Sequence, residues 1–378
     1  MKEHSLLEIA TIKSGKRLPK GHELSNIPSP YPYIKARDIK KGKVNSVGLE
    51  FVDESTRKKI AKYIVSENDI LITIVANIGD VGIVPKKLNN ANLTENAVRL
   101  TNLKLFVNAQ YLTYLLSQKE YKEYMESLAA GAAQAKLGIY KIEKIKVNLP
   151  EIVIQKRIAS ILSAYDDLIE VNNKRIELLE QSARELYKEW FVRMRFPNYQ
   201  NTKFNKGIPE GWKEELLGNI LEFAYGKALK EENRIWGKYP IYGSSGVVGF
   251  HIKPLIKSPA IIIGRKGNVG SVFFSFQECY PIDTVFYIVS PYSKLYLYQL
   301  LKGQTFIEGD AAIPGLSRNQ VYKTKILFPN KKIIDLYDMN IRPIFTQIEN
   351  LQKQNQELAA IRDRLLPRLI SGKLEVKA

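Results

Sequence analysis

The sequence contains two copies of one pattern. When Pro150 is placed on Pro329, an offset of 179 residues, "IKVNLPEIVIQKRI" falls on "TKILFPNKKIIDLY" and Leu137 falls on Leu316. Further upstream, and after a change of gap, "IKSGKRL" (12–18) matches "FAYGKAL" (223–229). A long internal repeat means that each copy forms its own structural unit. The sequence therefore predicts two related globular regions, each followed by a long charged stretch.

Both charged stretches have the spacing of a coiled coil, because their apolar positions alternate steps of four and three. The first set is Ile158, Leu162, Tyr165, Ile169, Asn172, Ile176, Leu179, Ala183, Leu186 and Trp190, and the second is Ile334, Tyr337, Ile341, Ile344, Ile348, Leu351, Asn355, Leu358, Arg362 and Leu365. Two surface helices packed on their own domains would need a broader apolar face. We therefore predict a pair of helices, each about 60 Å long. An antiparallel pairing would bring the two seam asparagines near each other.

Two glycine-containing loops follow apolar runs, "NIGDVG" (77–82) and "GRKGNVGS" (264–271). Aligning Gly79 with Gly267 puts the basic pair 265–266 opposite 77–78. Neither loop has the Gly-Lys-Ser/Thr ending of a P-loop, and neither opens a helix as a dinucleotide-binding loop does. The β-branched and aromatic residues around them predict strand, tight turn and strand. The side chains of the two loops either are solvated or contact a ligand at the strand ends.

Helical segments accompany the predicted strands in both copies. "NAQYLTYLLSQKEYKEYMESLA" (108–129) predicts one amphipathic helix, and "KLYLYQLLKG" (294–303) predicts a shorter counterpart. Each globular region is therefore expected to be of the α+β class.

The charge balance limits the choice of partners. The chain has 57 Lys and Arg against 39 Asp and Glu, a formal net charge of +18. This excess favours a polyanion, such as nucleic acid or an acidic membrane, although a merely lysine-rich protein is the alternative. The single cysteine, Cys279, and three histidines argue against a disulfide and a zinc site. Without an apolar leader or a stretch approaching about 20 apolar residues, we expect a cytoplasmic protein with no membrane partner.

Five segments, in this order along the chain, carry a resemblance to a known family. They are "SENDILITIVANIGDVGIV" (66–84), "LPEIVIQKRIASILSAYDDLIE" (149–170), "GKALKEENRIWGKYPIYGSSGVVGFH" (226–251), "IIIGRKGNVGSVFFSFQECYPIDTVFYI" (261–288) and "LAAIRDRLLPRLISGKLEV" (358–376). The sequence resembles the specificity (S) subunit of type I restriction–modification enzymes. It departs from the family where the first helix begins, because it keeps Gln155 but lacks the usual second proline. The second helix lacks the glutamine, so the helix end that contacts partner subunits is left open.

The resemblance implies a fold class and a division of the chain. The class is α+β, with two pseudo-repeated α+β target-recognition domains separated by a long antiparallel two-helix coiled coil. The expected parts are target-recognition domain 1 (1–149), the first long spacer helix (150–197), target-recognition domain 2 (198–328), and the second long spacer helix with the C-terminal tail (329–378).

The function that the resemblance implies is sequence recognition without catalysis. Each domain would read one half of a bipartite site in double-stranded DNA, and the unlike loops of the two copies predict an asymmetric site. The helix pair would set the gap and dock two methyltransferase (M) subunits, through which restriction (R) subunits join. No cofactor or metal is expected in this chain, because S-adenosylmethionine, ATP and Mg²⁺ would belong to the partner subunits. The alternatives are an orphan subunit, or a scaffold or decoy coiled-coil DNA-binding protein without nuclease partners.

The candidate DNA-binding residues divide by task. Basic residues beside the two "GK" turns are expected to contact phosphates: Lys13, Lys16, Arg17, Lys227 and Lys230. Polar residues of the loops are expected to read bases: Lys35, Arg37, Asp38, Asn77 and Gln134 in the first domain, and Tyr242, Ser244, Ser245, Arg265, Lys266 and Arg318 in the second. No catalytic residue and no metal ligand is predicted.

Overall fold

The computed structural model describes residues 1–130, 135–306 and 315–376. The chain divides into two compact units, one formed by Met1–Ile169 with Glu357–Ala378 and the other by Glu170–Gln356. Each unit contains sheets, short helices and part of both long helices. The predicted α+β class with two long helices is therefore confirmed.

The first unit contains eleven strands within the part of the chain that is described. They are β1 (Lys2–Ser5), β2 (Thr11–Ser14), β3 (Pro32–Ile34), β4 (Ile39–Lys40), β5 (Gly42–Val44), β6 (Glu50–Phe51), β7 (Ile70–Thr73), β8 (Val81–Ile83), β9 (Asn92–Leu93), β10 (Ala97–Thr101) and β11 (Lys146–Leu149). Its helices are α1 (Leu6–Ile9), α2 (Glu54–Lys59), α3 (Ala109–Leu116), α4 (Lys119–Ala129), α5 (Ile139–Glu143) and the beginning of α6 (Ile152–Tyr187). The main sheet has the order β2-β10-β7-β8-β5-β4.

The central strand β7 is covered on both faces. Ile70 and Ile72 belong to a core shared with α3 and α4, whereas Leu71 points into a second core on the other side. Alternate residues of a strand face opposite sides of a sheet, so a strand buried on both sides must be apolar throughout. This explains the continuous apolar run before the first glycine loop.

The prediction of one helix over 108–129 is wrong, because the segment forms two helices, α3 and α4. Ser117 ends the first helix, and its Oγ donates to the carbonyl of Thr113 over 2.7 Å. Gln118 then adopts an extended conformation before α4 begins. A serine that bonds back to its own helix offers the backbone an alternative to further helical bonds.

The second unit repeats this design, also with eleven strands among the described residues, but its main sheet has four strands instead of six. Its strands are β12 (Phe204–Asn205), β13 (Ile208–Pro209), β14 (Lys213–Leu216), β15 (Glu222–Tyr225), β16 (Tyr239–Gly243), β17 (Gly246–His251), β18 (Ala260–Gly264), β19 (Val272–Ser275), β20 (Tyr280–Pro281), β21 (Val285–Val289) and β22 (Lys325–Phe328). Its helices are α7 (Lys294–Lys302), α8 (Arg318–Tyr322) and most of α9 (Lys331–Ile370). The main sheet has the order β15-β21-β18-β19, and β18 is buried on both faces as β7 is.

The two long helices run antiparallel. In the second unit, Nδ2 of Asn172 lies 3.0 Å from Oδ1 of Asn355, and the hydroxyl of Tyr337 donates to the carbonyl of Ala183. Moving forward along α6 therefore means moving backward along α9. The helices contain 36 and 40 residues, and α6 continues as a π-helical turn over Lys188–Val192. The predicted antiparallel pairing and the meeting of the two asparagines are confirmed.

Candidate nucleic-acid interface

The "GK" turn of the first domain is fixed by a close approach of two backbone segments. A Cβ atom on Gly15 would lie 2.0 Å from the carbonyl oxygen of Thr94, so only glycine fits there. The next amide, that of Lys16, donates to the carbonyl of Leu93 over 2.9 Å. The Lys16 side chain is exposed, with Nζ 5.7 Å from the ring centre of Tyr63. The turn thus presents a lysine from a rigid position at the end of β2.

Three predicted residues of the first domain meet around one open pocket of about 390 Å³, namely Arg17, Lys35 and Arg37. Arg17 pairs with Glu95 over 2.9 Å, and Arg37 pairs with Glu50 over 2.6 Å. Lys35 shares the carboxylate of Glu50. Nε of Arg37 also lies 3.8 Å from Oδ1 of Asp38, so the three cations face three carboxylates.

Asp38 has a role inside the turn that carries Lys35. It is 7% exposed, and its Oδ2 accepts a hydrogen bond from the backbone amide of Lys35 over 2.8 Å. Burial raises the pKa of Asp38, while this hydrogen bond works in the opposite direction. The neighbouring Tyr33 donates its hydroxyl to the carbonyl of Lys16, and burial raises the pKa of Tyr33 to about 12. Tyr33 lines the pocket, and Asp38 holds the turn that carries Lys35.

The remaining candidates of the first domain lie apart from this pocket. Lys13 is an exposed residue of β2, and Asn77 is exposed in the glycine loop. Gln134 lies outside the described residues.

The second domain builds its "GK" turn in the same way. A Cβ atom on Gly226 would lie 2.0 Å from the carbonyl oxygen of Ile282. The amide of Lys227 donates to the carbonyl of Pro281 over 3.0 Å, and the side chain is exposed. Lys230 is also exposed, with Nζ 3.7 Å from a carboxylate oxygen of Glu232. Lys16 and Lys227 therefore project from equivalent positions of the two domains.

The two glycine loops are the same turn, although not in the predicted alignment. The amide of Gly79 donates to the carbonyl of Thr73 over 3.0 Å, and the amide of Gly270 donates to the carbonyl of Gly264 over 2.9 Å. Both donors have φ near +78°, at 79° and 77°. Gly79 is therefore equivalent to Gly270, three residues further along than the predicted Gly267. Gly267 itself corresponds to Ala76, which also has a positive φ of 64°.

The corrected alignment changes which side chains are equivalent. The amide of Leu137 donates to the carbonyl of Ile74 over 3.0 Å, and the amide of Leu316 donates to the carbonyl of Arg265 over 2.9 Å. Arg265 therefore takes the place of Ile74, which is only 3% exposed. The basic pair 265–266 has apolar residues, not the predicted pair 77–78, as its counterpart. One turn thus carries different chemistry in the two domains.

Two predicted arginines meet at one aromatic ring in the second domain. The guanidinium of Arg265 lies 5.4 Å from the ring centre of Tyr225, and that of Arg318 lies 5.2 Å from it. Nε and Nη2 of Arg265 donate to the carbonyl of Asp283 over 3.1 and 2.6 Å. Within the described ranges, neither guanidinium forms an ion pair. The Tyr225 ring orients both guanidinium groups, and the carbonyl of Asp283 also orients Arg265. Their N–H groups without a partner among the described residues can donate to a phosphate or a guanine.

Tyr225 was missed by the sequence reasoning. Its side chain is 53% exposed, and it stands directly before the glycine of the second "GK" turn. The corresponding residue of the first copy is Ser14, so the position differs in size and chemistry between the copies. That difference at an otherwise matched turn was the available signal.

Around this cluster, the other candidates differ in exposure. Ser244 packs on the glycine loop, with Oγ 3.2 Å from where a Cβ on Gly267 would lie. Ser245 and Lys266 are exposed. Tyr242, in contrast, is 8% exposed and belongs to a core, and burial raises its pKa. Tyr242 therefore supports the site from within the domain.

The glutamine at the start of α6 is buried. Gln155 Oε1 accepts from the amide of Asn108 over 2.9 Å, and Nε2 donates to the carbonyls of Phe106 and Pro150 over 3.0 and 2.8 Å. Its counterpart in the second copy, Ile334, is 1% exposed. The departure from the family pattern is therefore an exchange of one buried side chain for another.

The described residues contain no group of three or more His, Cys, Asp and Glu side chains that could hold a metal ion. No helix in the same ranges is both long and apolar enough to cross a membrane.

The chain thus repeats one α+β domain twice, with basic side chains at matched turns and an antiparallel pair of long helices. The family model described as the type I restriction modification DNA specificity domain matches residues 1–181 and 209–361. The chain belongs to this family.

Individual relatives agree with this assignment. The type I restriction enzyme MjaIX specificity subunit of Methanocaldococcus jannaschii is 27% identical over 371 residues, covering 88% of this chain and 83% of that protein. The putative MjaX specificity subunit of the same organism is 26% identical over 375 residues, covering 92% and 88%. The crystal structure of a type I restriction–modification S subunit from M. genitalium matches 97% of this chain and 95% of that one, with 21% identity and a TM-score of 0.53. This last likeness concerns the fold.

Proposed function

We propose that the chain is the non-catalytic DNA-specificity subunit of a type I restriction–modification complex, and that each domain reads one half of an asymmetric bipartite site. The observation that carries this proposal is the turn that the fold builds twice with different side chains. Ile74 and Val75 in the first domain stand where Arg265 and Lys266 stand in the second. Equivalent positions with unlike hydrogen-bonding capacity suit unlike half-sites.

In the first domain, the pocket lined by Arg17, Lys35 and Arg37 is the proposed contact surface. Arg17 contacts phosphates there, and Lys13 and Lys16 contact them from β2 and the turn that follows it. The bases are read by Lys35, Arg37, Asn77 and Gln134. Asp38 contributes through the turn that it holds, because its carboxylate is engaged with the backbone.

In the second domain, Lys227 and Lys230 contact phosphates. Base reading falls to the cluster of Arg265, Arg318 and Tyr225, with Ser244, Ser245 and Lys266 beside it. Arginine donates two parallel hydrogen bonds to O6 and N7 of guanine, which is the commonest specific contact in the major groove. The carbonyl that holds Arg265 leaves its Nη1 group free of any described partner. Tyr242 acts as support.

The helix pair is the proposed spacer and docking element. A helix of 40 residues spans about 60 Å, on the order of one to two turns of duplex DNA. The internal repeat gives the chain two similar halves, which suits two copies of one methyltransferase subunit. Those subunits would carry S-adenosylmethionine and methylate adenine. Restriction subunits using ATP and Mg²⁺ would join through them.

The deciding experiment is methylation sequencing of DNA from a host that expresses this chain with its methyltransferase partner. The control is the methyltransferase alone. The proposal expects one bipartite motif with two unlike halves and a fixed gap. A stable complex that adds no new motif would contradict it and favour the scaffold or decoy alternative.

A further inference from the structure

One of the three tryptophans of this chain is exposed to solvent. Trp190 and Trp212 are each 7% exposed within the core of the second unit, whereas Trp236 is 81% exposed. The neighbouring Ile235 is 61% exposed. The centre of the Trp236 ring lies 5.7 Å from the centre of the Phe250 ring. Indole is a side chain that usually contributes a large buried apolar area. Two exposed apolar residues of this size side by side indicate a surface that a partner covers.

The segment that carries Trp236 is clamped on both sides. The amide before it, that of Ile235, donates to Nδ1 of the buried His251 over 3.1 Å. After it, a Cβ atom on Gly237 would lie 2.4 Å from the Cα of Ile252, so the chain runs directly against the end of β17. The exposed ring is therefore presented from a fixed backbone, which lowers the entropy cost of a contact.

The first domain presents an apolar side chain from the equivalent connection. β3 pairs in parallel with β9 at Tyr33, and β16 pairs in parallel with β20 at Ile241, so these two residues are equivalent. Ile27 lies six residues before the first and is 77% exposed. Trp236 lies five residues before the second. We call Ile27 and Trp236 the apolar fingers.

The surroundings of Trp236 carry net positive charge. The connection from 227 to 238 contains four basic and two acidic residues: Lys227, Lys230, Arg234, Lys238, Glu231 and Glu232. An exposed Lys253 follows the clamp. Duplex DNA combines anionic phosphates with apolar base faces and thymine methyl groups in its grooves. An apolar protein partner would cover the ring but leave these lysines without counter-charges.

We propose that the apolar fingers enter the grooves of duplex DNA and pack against bases, each in the half-site of its own domain. This inference rests on the proposed function. Proteins insert apolar side chains at base steps to gain contact with deformed DNA. An isoleucine and a tryptophan in equivalent connections differ in size and shape, so they would add to the difference between the two halves.

The test measures binding of the complex of full chain and methyltransferase to its methylation-defined target. The competitors are duplexes with one half scrambled. Trp236→Ala should weaken binding to the full target about tenfold or more, the scale of losing one aromatic–base contact. Trp236→Phe should retain most of the affinity. Val289→Ala is the matched control, because this exposed residue ends β21 at the end away from the glycine loop.

The effect should depend on the half-site. Trp236→Ala and the wild type should bind equally to a duplex whose second-domain half is scrambled, and Ile27→Ala should show the same dependence on the other half. The emission of Trp236 is obtained by subtracting the emission of the Trp236→Phe variant from that of the wild type. Acrylamide should quench this emission less when the target is bound, and the other two tryptophans of the chain contribute little to the change because they are buried.

Three outcomes would count against these ideas in different ways. Unchanged target binding by Trp236→Ala, with sequence-specific binding intact in the wild type, overturns the finger inference alone. Loss of assembly with the methyltransferase in Trp236→Ala overturns it in favour of a protein partner. A wild-type complex without sequence-dependent binding contradicts the proposed function itself.

Discussion

Asn172 and Asn355 are joined across the helix pair, with Nδ2 of the first donating to Oδ1 of the second over 3.0 Å. Asn172 is fully buried and also donates to Gln354 over 2.9 Å, while Asn355 donates to Asn173 over 2.9 Å. Amides that lose water need hydrogen-bond partners. Sliding either helix by a turn would remove these partners, so the amides select one register of the pair.

This amide layer gives the first prediction. Asn355→Leu alone should destabilise the protein by about 1–2 kcal/mol, because Asn172, whose Oδ1 already has no partner among the described residues, then loses an acceptor. Changing both asparagines to leucine should raise the melting temperature above that of the single variant, since an apolar layer needs no partners. Thermal unfolding followed by circular dichroism measures both. The exposed Met339→Leu is the control, and equal stability of Asn355→Leu and wild type would show that the amides are not coupled.

The second prediction concerns the arginine that interrupts the apolar seam of α9. Arg362 donates to the buried Asp166 over 2.5 Å, and the hydroxyl of Tyr114 donates to the same carboxylate over 2.5 Å. Arg362→Leu should cost about 3 kcal/mol, at the lower end for a broken buried pair, because Lys43 remains 3.8 Å from the carboxylate. Adding Asp166→Leu should recover part of the loss. Denaturant unfolding of the two single variants and the double variant gives the coupling free energy between Arg362 and Asp166. If the losses of the two single variants simply add in the double variant, the predicted coupling is refuted.

The third prediction tests the guanidinium cluster. Arg265→Ala should weaken binding to the methylation-defined target by about 1–3 kcal/mol and relax specificity in the second-domain half only. Arg265→Lys should recover little of that specificity, because an ammonium cannot make the two-pronged contact. Competition binding with duplexes in which one half is scrambled distinguishes a base contact from a phosphate contact. Equal losses on every sequence would reassign Arg265 to a phosphate contact.

The fourth prediction lengthens the spacer. One heptad inserted after Glu177 of α6, together with one after Glu349 of α9, keeps the seam in phase on both antiparallel helices. Each heptad adds about 10 Å of helix, on the order of three base pairs of duplex. Methylation sequencing should find the same two half-sites with a longer gap. An unchanged gap would show that the helices do not set the spacing.

The fifth prediction concerns the close approach at the second "GK" turn. Gly226→Ala should destabilise the protein by about 3 kcal/mol, because the new Cβ would meet the carbonyl of Ile282 at 2.0 Å and the backbone must move. Gly303→Ala is the control, since its φ is −86° and its nearest neighbour is 3.4 Å away. Chemical denaturation compares them. Similar small losses in both variants would mean that the turn can relax.

The repeat was readable in the sequence because periodic apolar seams and turn glycines are local signals. The seam predicted both long helices, and the meeting of Asn172 with Asn355 followed from antiparallel pairing. The glycines of the "GK" turns were visible as a shared motif. The fold supplies their reason, which is a carbonyl at 2.0 Å from each missing Cβ.

Other features depend on which distant segments meet, and only the tertiary structure decided them. Arg265 was aligned with Asn77, whereas backbone hydrogen bonds make it equivalent to Ile74. Arg362 occupies a seam position that is otherwise mostly apolar, and only the tertiary structure shows that it pairs with Asp166, 196 residues away. Tyr242 was predicted to read bases but is buried, and Trp236 was not singled out but is exposed, because an aromatic residue in a strand-rich segment suits either a core or a surface. Local pattern determines which elements form, and long-range packing determines which side chains remain outside them.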